Sequence, residues 1–142
     1  MNARARTIAF WATTIFGPTS FVIGGVIGLL GGEQVAAGVQ HLGYPMYFAS
    51  ILGFWKLAGA IVITAPGLPR LKEWAYAGFL FDLTAAAASH AAVGDGAAEI
   101  VTPLVFLALV AASYLLRPES RRLESRASAV APASSTYVLR AA

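Results

Sequence analysis

The chain has 142 residues, of which 58% are hydrophobic and 12% charged, with a net charge of +3. Soluble domains carry about 25% charged residues, so this composition excludes an ordinary soluble globule, and its hydrophobicity excludes disorder for most of its length. No cysteine is present, which excludes disulfides, thiolate metal sites, Fe–S clusters and a cysteine nucleophile within the chain.

Residues 7–32, 34–55, 57–69, 74–81, 83–94 and 100–116 contain no Asp, Glu, Lys or Arg. A spanning helix needs about 20 mostly apolar residues, and a helix carries its backbone hydrogen bonds with it into lipid. The spacing predicts an all-α integral membrane protein. Residues 1–117 form a bundle of four transmembrane helices, and residues 118–142 form a flexible cytoplasmic tail rich in Ser, Ala, Arg and Pro.

The first span covers about Thr7–Leu30. Its apolar run exceeds the roughly 7–15 residues of a signal-peptide core and three spans follow it, so it reads as retained rather than cleaved. Pro18 should kink it. Gly17, Gly24, Gly28 and Gly31 fall on one face, and Gly24-xxx-Gly28 is a small-residue pattern for close helix packing. In the first outer loop, Val35, Val39 and Leu42 recur at helical spacing. They predict a short amphipathic helix at the membrane interface, capped by Gly43 and stopped by Pro45.

The second span covers about Tyr47–Ala65, interrupted by Lys56, and the third about Trp74–Val93, interrupted by Asp82. Pro66-Gly-Leu-Pro69 is the turn between them. Gly94-Asp-Gly96 turns the chain into the fourth span, about Glu99–Leu116, with Pro103 in its first turns. Trp74, Tyr76, Tyr44 and Tyr47 read as interfacial anchors.

Basic residues set the orientation. Arg4 and Arg6, Arg70 and Lys72, and Arg117, Arg121, Arg122 and Arg126 all fall on one side of a four-span chain. The other side carries Glu33, His41, Asp95 and Glu99. Both termini are therefore expected on the cytoplasmic side of the membrane. The same distribution explains the basic charge and argues against nucleic-acid binding, which needs a clustered basic face.

Lys56 and Asp82 are the most informative residues, because a charge at a helix centre costs about 2.5–3.5 kcal/mol on the insertion scale. At 1.5 Å per residue, Lys56 lies roughly 13 Å from the outer end of its span and Asp82 roughly 12 Å from the inner end of the next. In a core of about 30 Å the two depths differ by roughly 5 Å, within reach of a lysine stem. Gly53, Lys56, Gly59 and Ala60 share one face, and Gly78, Asp82, Ala85 and Ser89 another, while Phe54, Trp55, Phe79 and Phe81 should project elsewhere. An intramembrane ionisable pair is a functional-site candidate, and equally a device that fixes helix register. Ser89 and His90 near the outer end of span three, and Glu99 near that of span four, complete the candidate set. His90 suits proton handling or a simple interfacial hydrogen bond. No HxxxH or HxxE spacing lies within one helix, so no metal site is predicted.

The stretches His41-Leu-Gly-Tyr-Pro-Met-Tyr-Phe48, Ile51-Leu-Gly-Phe-Trp-Lys-Leu-Ala-Gly-Ala60, Pro66 to Phe79, Asp82-Leu-Thr-Ala85, Ser89-His90 and Gly94-Asp95 resemble the DoxX-like family of bacterial membrane proteins. The resemblance covers roughly residues 8–117. It implies a compact four-helix bundle, and it matches Lys56, Asp82, Ser89 and His90 to polar positions of the family. It also implies association with quinone-linked membrane oxidoreductases through a redox partner protein. A more distant relative is an assembly chaperone for ligand-gated channels. The expected function is thus a redox-associated membrane subunit with no covalently bound cofactor, in which a quinone meets the Lys–Asp pair. The alternatives are a non-catalytic scaffold, chaperone or lipid-like ligand binder, and a small transporter component. Lipid and a possible homo-oligomeric copy are the other expected partners.

Overall fold

The computed structural model describes residues 2–123. All regular structure among these residues is helical: α1 (Ala3–Phe16), α2 (Phe21–Leu30), α3 (Glu33–His41), α4 (Met46–Thr64), α5 (Pro69–Ala92) and α6 (Ala97–Leu116), with short 3₁₀ turns at Pro18–Ser20 and Glu119–Arg121. α1 starts where the Asn2 side chain accepts from the Ala5 N–H, which satisfies one of the free donors of the first turn. It stops because Pro18 has no N–H to continue the ladder.

The expected kink is therefore a full break, with a 3₁₀ turn between α1 and α2. This lets the two halves serve different neighbours. α1 packs on α6, and α2 packs on α4; α4 packs on α5, and α5 on α6. The glycine face expected on this segment divides accordingly. Gly17 meets Leu109 of α6, whereas Gly28 meets Ala49 and Gly53 of α4. Gly24 faces open space, so the close contact uses Gly25 and Gly28 rather than Gly24 and Gly28. A Cβ on Gly53 would lie 2.7 Å from the Gly25 carbonyl oxygen, so the two backbones meet with no room for a side chain.

α3 turns its half-buried residues Val35 and Val39 inward, as its periodicity predicts. Gly43 follows it at φ 81°, where a side chain would be strained. α5 begins at Pro69 rather than near Trp74. A proline at the first helical position has the right φ and lacks only an N–H that would be free anyway.

The core is built from Ile63, Tyr76, Phe79, Leu83 and Val110, with Phe21, Phe106 and Leu107 against it. Phe21 packs with tilted rings against Phe79 and Phe106, at 5.2 Å between ring centres in each pair. Phe79 thus points inward, unlike Phe54, Trp55 and Phe81, which are exposed as expected. The outer surface is strongly apolar: Ile8, Phe16, Ile23, Leu30, Phe54, Trp55, Ile61, Phe81 and Leu115 are all more than half exposed. A soluble monomer does not leave so much apolar surface in water, whereas lipid accepts it. Among the described residues, three helical segments are long and apolar enough to cross a bilayer: Ala3–Leu30, Met46–Thr64 and Ala97–Leu116. α5 has 24 residues, more than α4 or α6, but Arg70, Lys72, Glu73 and Asp82 lower its hydropathy.

The segment after α6 differs from the expected free tail at its start. Residues 118–123 fold back on the bundle, where Arg121 Nη1 donates to the Ile63 and Thr64 carbonyls at the end of α4. Arg126 and the remainder of the expected tail lie outside the described residues.

Candidate functional site: a groove between α4 and α5

Lys56 on α4 and Asp82 on α5 meet across the helix interface, with Nζ 3.3 Å from Oδ2. Helix rise alone brings them to neighbouring depths, and the antiparallel packing of α4 and α5 brings them face to face. Their side chains are 24% and 17% exposed, so the pair is half-buried rather than enclosed. Asp82 Oδ2 is itself buried and accepts no hydrogen bond, so the contact is an ion pair without hydrogen-bond alignment. The ammonium also stands 5.6 Å from the centre of the Phe21 ring, a cation–π distance.

The pair lines a groove of about 800 Å³. Phe48, Leu52, Trp55, Ala86 and Phe79 supply its apolar walls, and Trp74 and Phe81 stand at its exposed rim. Ser89 and His90 line the same groove toward the end of α5. Tyr44, which enters it from the α3–α4 connection, bonds Ser89 through the two hydroxyls at 2.8 Å. Beside them Asp95 bridges two histidines, with His90 Nδ1 2.6 Å from Oδ2 and His41 Nε2 2.7 Å from Oδ1. The bridge ties the end of α3 to the α5–α6 turn.

Four of the candidate residues, Lys56, Asp82, Ser89 and His90, thus share one groove. Glu99 does not join them. It is exposed in the first turn of α6, with its carboxylate folded over Gly96, where an anion complements the helix N-terminus.

Hydrogen bonds from His90 and then His41 hold the Asp95 carboxyl below the usual carboxylate range. A carboxyl lowered in this way supports the folded contact at every pH above its ordinary value of about 3.9 and loses that support as pH falls through the lowered value. A spin label at Ala37→Cys on α3 should stay immobile from about pH 7 to 5 and loosen only below about pH 4. In the Asp95→Ala variant the label should be loose throughout. A wild-type label as mobile at pH 7 as below pH 4, or as mobile at pH 7 as in the Asp95→Ala variant, would contradict the bridge.

At the opposite end lies a cluster that the sequence pattern did not reveal. Lys72 is 1% exposed. Its ammonium donates to the carbonyls of Val62, Ala65 and Gly67 at 2.9, 2.5 and 2.6 Å. Arg117 is buried between the Tyr114 and Tyr76 rings, 4.0 and 4.9 Å from their centres, and pairs with Glu73 at 2.8 Å. Tyr76 is consequently a core residue, not an interfacial anchor; its hydroxyl meets Ser113, which in turn meets Thr14. The available signal was only that these cations flank span ends, which reads as topology; their burial arises from tertiary packing.

A helical bundle with a lipid-compatible surface, and a half-buried ion pair in a groove between two of its helices, defines a small membrane protein. The chain belongs to the DoxX-like family, whose family model matches residues 12–113. That segment contains Lys56, Asp82, Ser89 and His90 and excludes the Arg117–Arg122 segment. No curated protein and no solved structure matches the chain significantly.

Proposed function

We propose that this DoxX-like protein is a four-span subunit of a bacterial cytoplasmic-membrane redox system, in which a quinone or similar apolar carbonyl compound binds between α4 and α5. The observation that carries the reading is the Lys56–Asp82 pair, 3.3 Å apart in a groove of about 800 Å³. Small-molecule sites are typically about 300–1,000 Å³, mostly apolar, with a few placed polar groups. A quinone ring and the first part of its tail fit that description. When bound, a quinone supplies two-electron, two-proton carrier chemistry. The chain's own contribution is binding and polarity. Lys56 offers its ammonium to a carbonyl oxygen, Asp82 holds that ammonium in place, and Ser89, Tyr44 and His90 provide a polar outlet toward the His41–Asp95 end. Membranes carrying the protein should oxidise added quinol faster than membranes carrying the Lys56→Met variant. Equal rates would count against the redox reading.

The four-span topology belongs to the same proposal. α5 is long enough, roughly 36 Å at 1.5 Å per residue, to cross a bilayer core. Arg6, Lys72, Arg117, Arg121 and Arg122 cluster at one end of the bundle through bonds to Leu115, Val62, Glu73, Thr64 and Leu115 in turn. The basic-residue bias assigns that end to the cytoplasm and α3 to the outer interface. The chain has no cysteine, so single cysteines report cleanly. Gln34→Cys should react with an impermeant maleimide in intact cells, and Ser120→Cys only after lysis. Labelling of both in intact cells would leave three crossings and remove α5 as a span.

A further inference from the structure

The sequence contains two lysines, Lys56 and Lys72. Their surroundings differ. Lys72 is enclosed and spends its three N–H groups on the carbonyls of Val62, Ala65 and Gly67. Among the described residues Lys56 has no hydrogen-bonded acceptor; it stands in an apolar groove whose rim is exposed, with one carboxylate oxygen 3.3 Å away. An amine beside a carboxylate that can take and return a proton, facing an apolar channel, is the arrangement that imine formation requires.

We propose that Lys56 condenses with long-chain aliphatic aldehydes dissolved in the bilayer, holding them as an imine. This deepens the groove reading and rests on it. The step balances without an oxidant or reductant. A small turn of the Lys56 stem aligns an N–H on Asp82 Oδ2, 3.3 Å away; the ammonium gives one proton to Asp82, and the free amine forms a C–N bond to the aldehyde carbon, giving a carbinolamine. Asp82 returns the proton to the carbinolamine hydroxyl, which leaves as water. The product is a protonated imine on Lys56 with the Asp82 carboxylate as its counter-ion. The net change is ammonium plus aldehyde to iminium plus water. The apolar walls from Leu52, Phe48 and Trp55 select a long chain over a short one, because each buried CH₂ favours binding by about 0.8 kcal/mol.

The test is reductive trapping of the full-length protein in lipid nanodiscs with hexadecanal and cyanoborohydride, followed by peptide mass mapping. Wild type should carry a single hexadecyl group on Lys56, with Lys72 unmodified, and butanal at the same concentration should label Lys56 far less. Lys56→Arg should lose the adduct. Asp82→Asn should form it about a hundredfold more slowly at neutral pH, and recover at alkaline pH, where the amine no longer needs an acceptor for its proton. A merely structural role for Asp82 would not give that recovery. Modification confined to the N-terminal amine, or equal on Lys56 and Lys72, overturns the inference. If the adduct is absent while a menaquinone analogue still binds, only this inference falls; if neither ligand binds, the groove reading falls with it.

Discussion

Lys72→Met should be the most destabilising single substitution at the cationic end of the bundle, lowering stability by about 3–5 kcal/mol. The ammonium of Lys72 is the common donor for three carbonyls at and beyond the end of α4. The last four carbonyls of a helix have no partner within it, and here those of Val62, Ile63 and Thr64 are part-buried beneath Lys72 and Arg121. A cation also complements the negative end of the helix dipole. Methionine keeps the stem's packing but leaves the Val62 and Gly67 oxygens without this donor, while Ala65 keeps only a long bond from Arg121 Nη1. Arg121, which reaches Ile63, Thr64 and Ala65, does not bond Val62 or Gly67. Thermal unfolding in detergent should show the loss directly. A change below about 1 kcal/mol, the range of an exposed pair, would mean that Lys72 is solvated in the native protein.

The Lys56–Asp82 pair gives the second large effect. Lys56→Met leaves a carboxylate whose Oδ2 is buried and accepts no hydrogen bond; Asp82→Asn leaves an unmatched ammonium. Each single change should cost about 2–3 kcal/mol, below the 3–5 of a fully enclosed pair because both side chains keep some exposure. The double variant Lys56→Met with Asp82→Asn should recover more than half of the summed loss, since no uncompensated charge remains. Additive losses would mean that the two residues do not interact. The double variant also separates the functional readings. Full biological activity without either charge would select a scaffold or assembly role, in which the pair serves only to set the register of α4 against α5.

Much of this architecture was legible in residue order. The charge-free windows located the apolar helices because lipid admits so few alternatives to a helix. The Lys56–Asp82 contact followed from depth, since a fixed rise per residue converts sequence position into height. Val35, Val39 and Leu42 marked the inner face of α3 for the same reason. What escaped was set by rotation and tertiary packing. Phe79 lies within one turn of Asp82, yet it faces the core through its contact with Phe21, and nothing local distinguishes it from Phe81. Gly25 replaced Gly24 at the close contact because the break at Pro18 resets the phase of α2. Lys72 and Arg117 read as topology signals because a cation's burial depends on acceptors brought from elsewhere in the chain. The Asp95 bridge joins residues 54 positions apart, a distance at which spacing carries no information.

Ligand binding in the α4–α5 groove is proposed to depend on Lys56. Its most direct test is the melting temperature of detergent-purified wild type and Lys56→Met with and without a menaquinone analogue. A ligand that binds only the folded state stabilises it by RT ln(1 + [L]/Kd), about 2.7 kcal/mol at a hundredfold excess over Kd. Wild type should show a clear upward shift that Lys56→Met loses. An unchanged wild-type melting temperature, or an equal shift in both proteins, would contradict it.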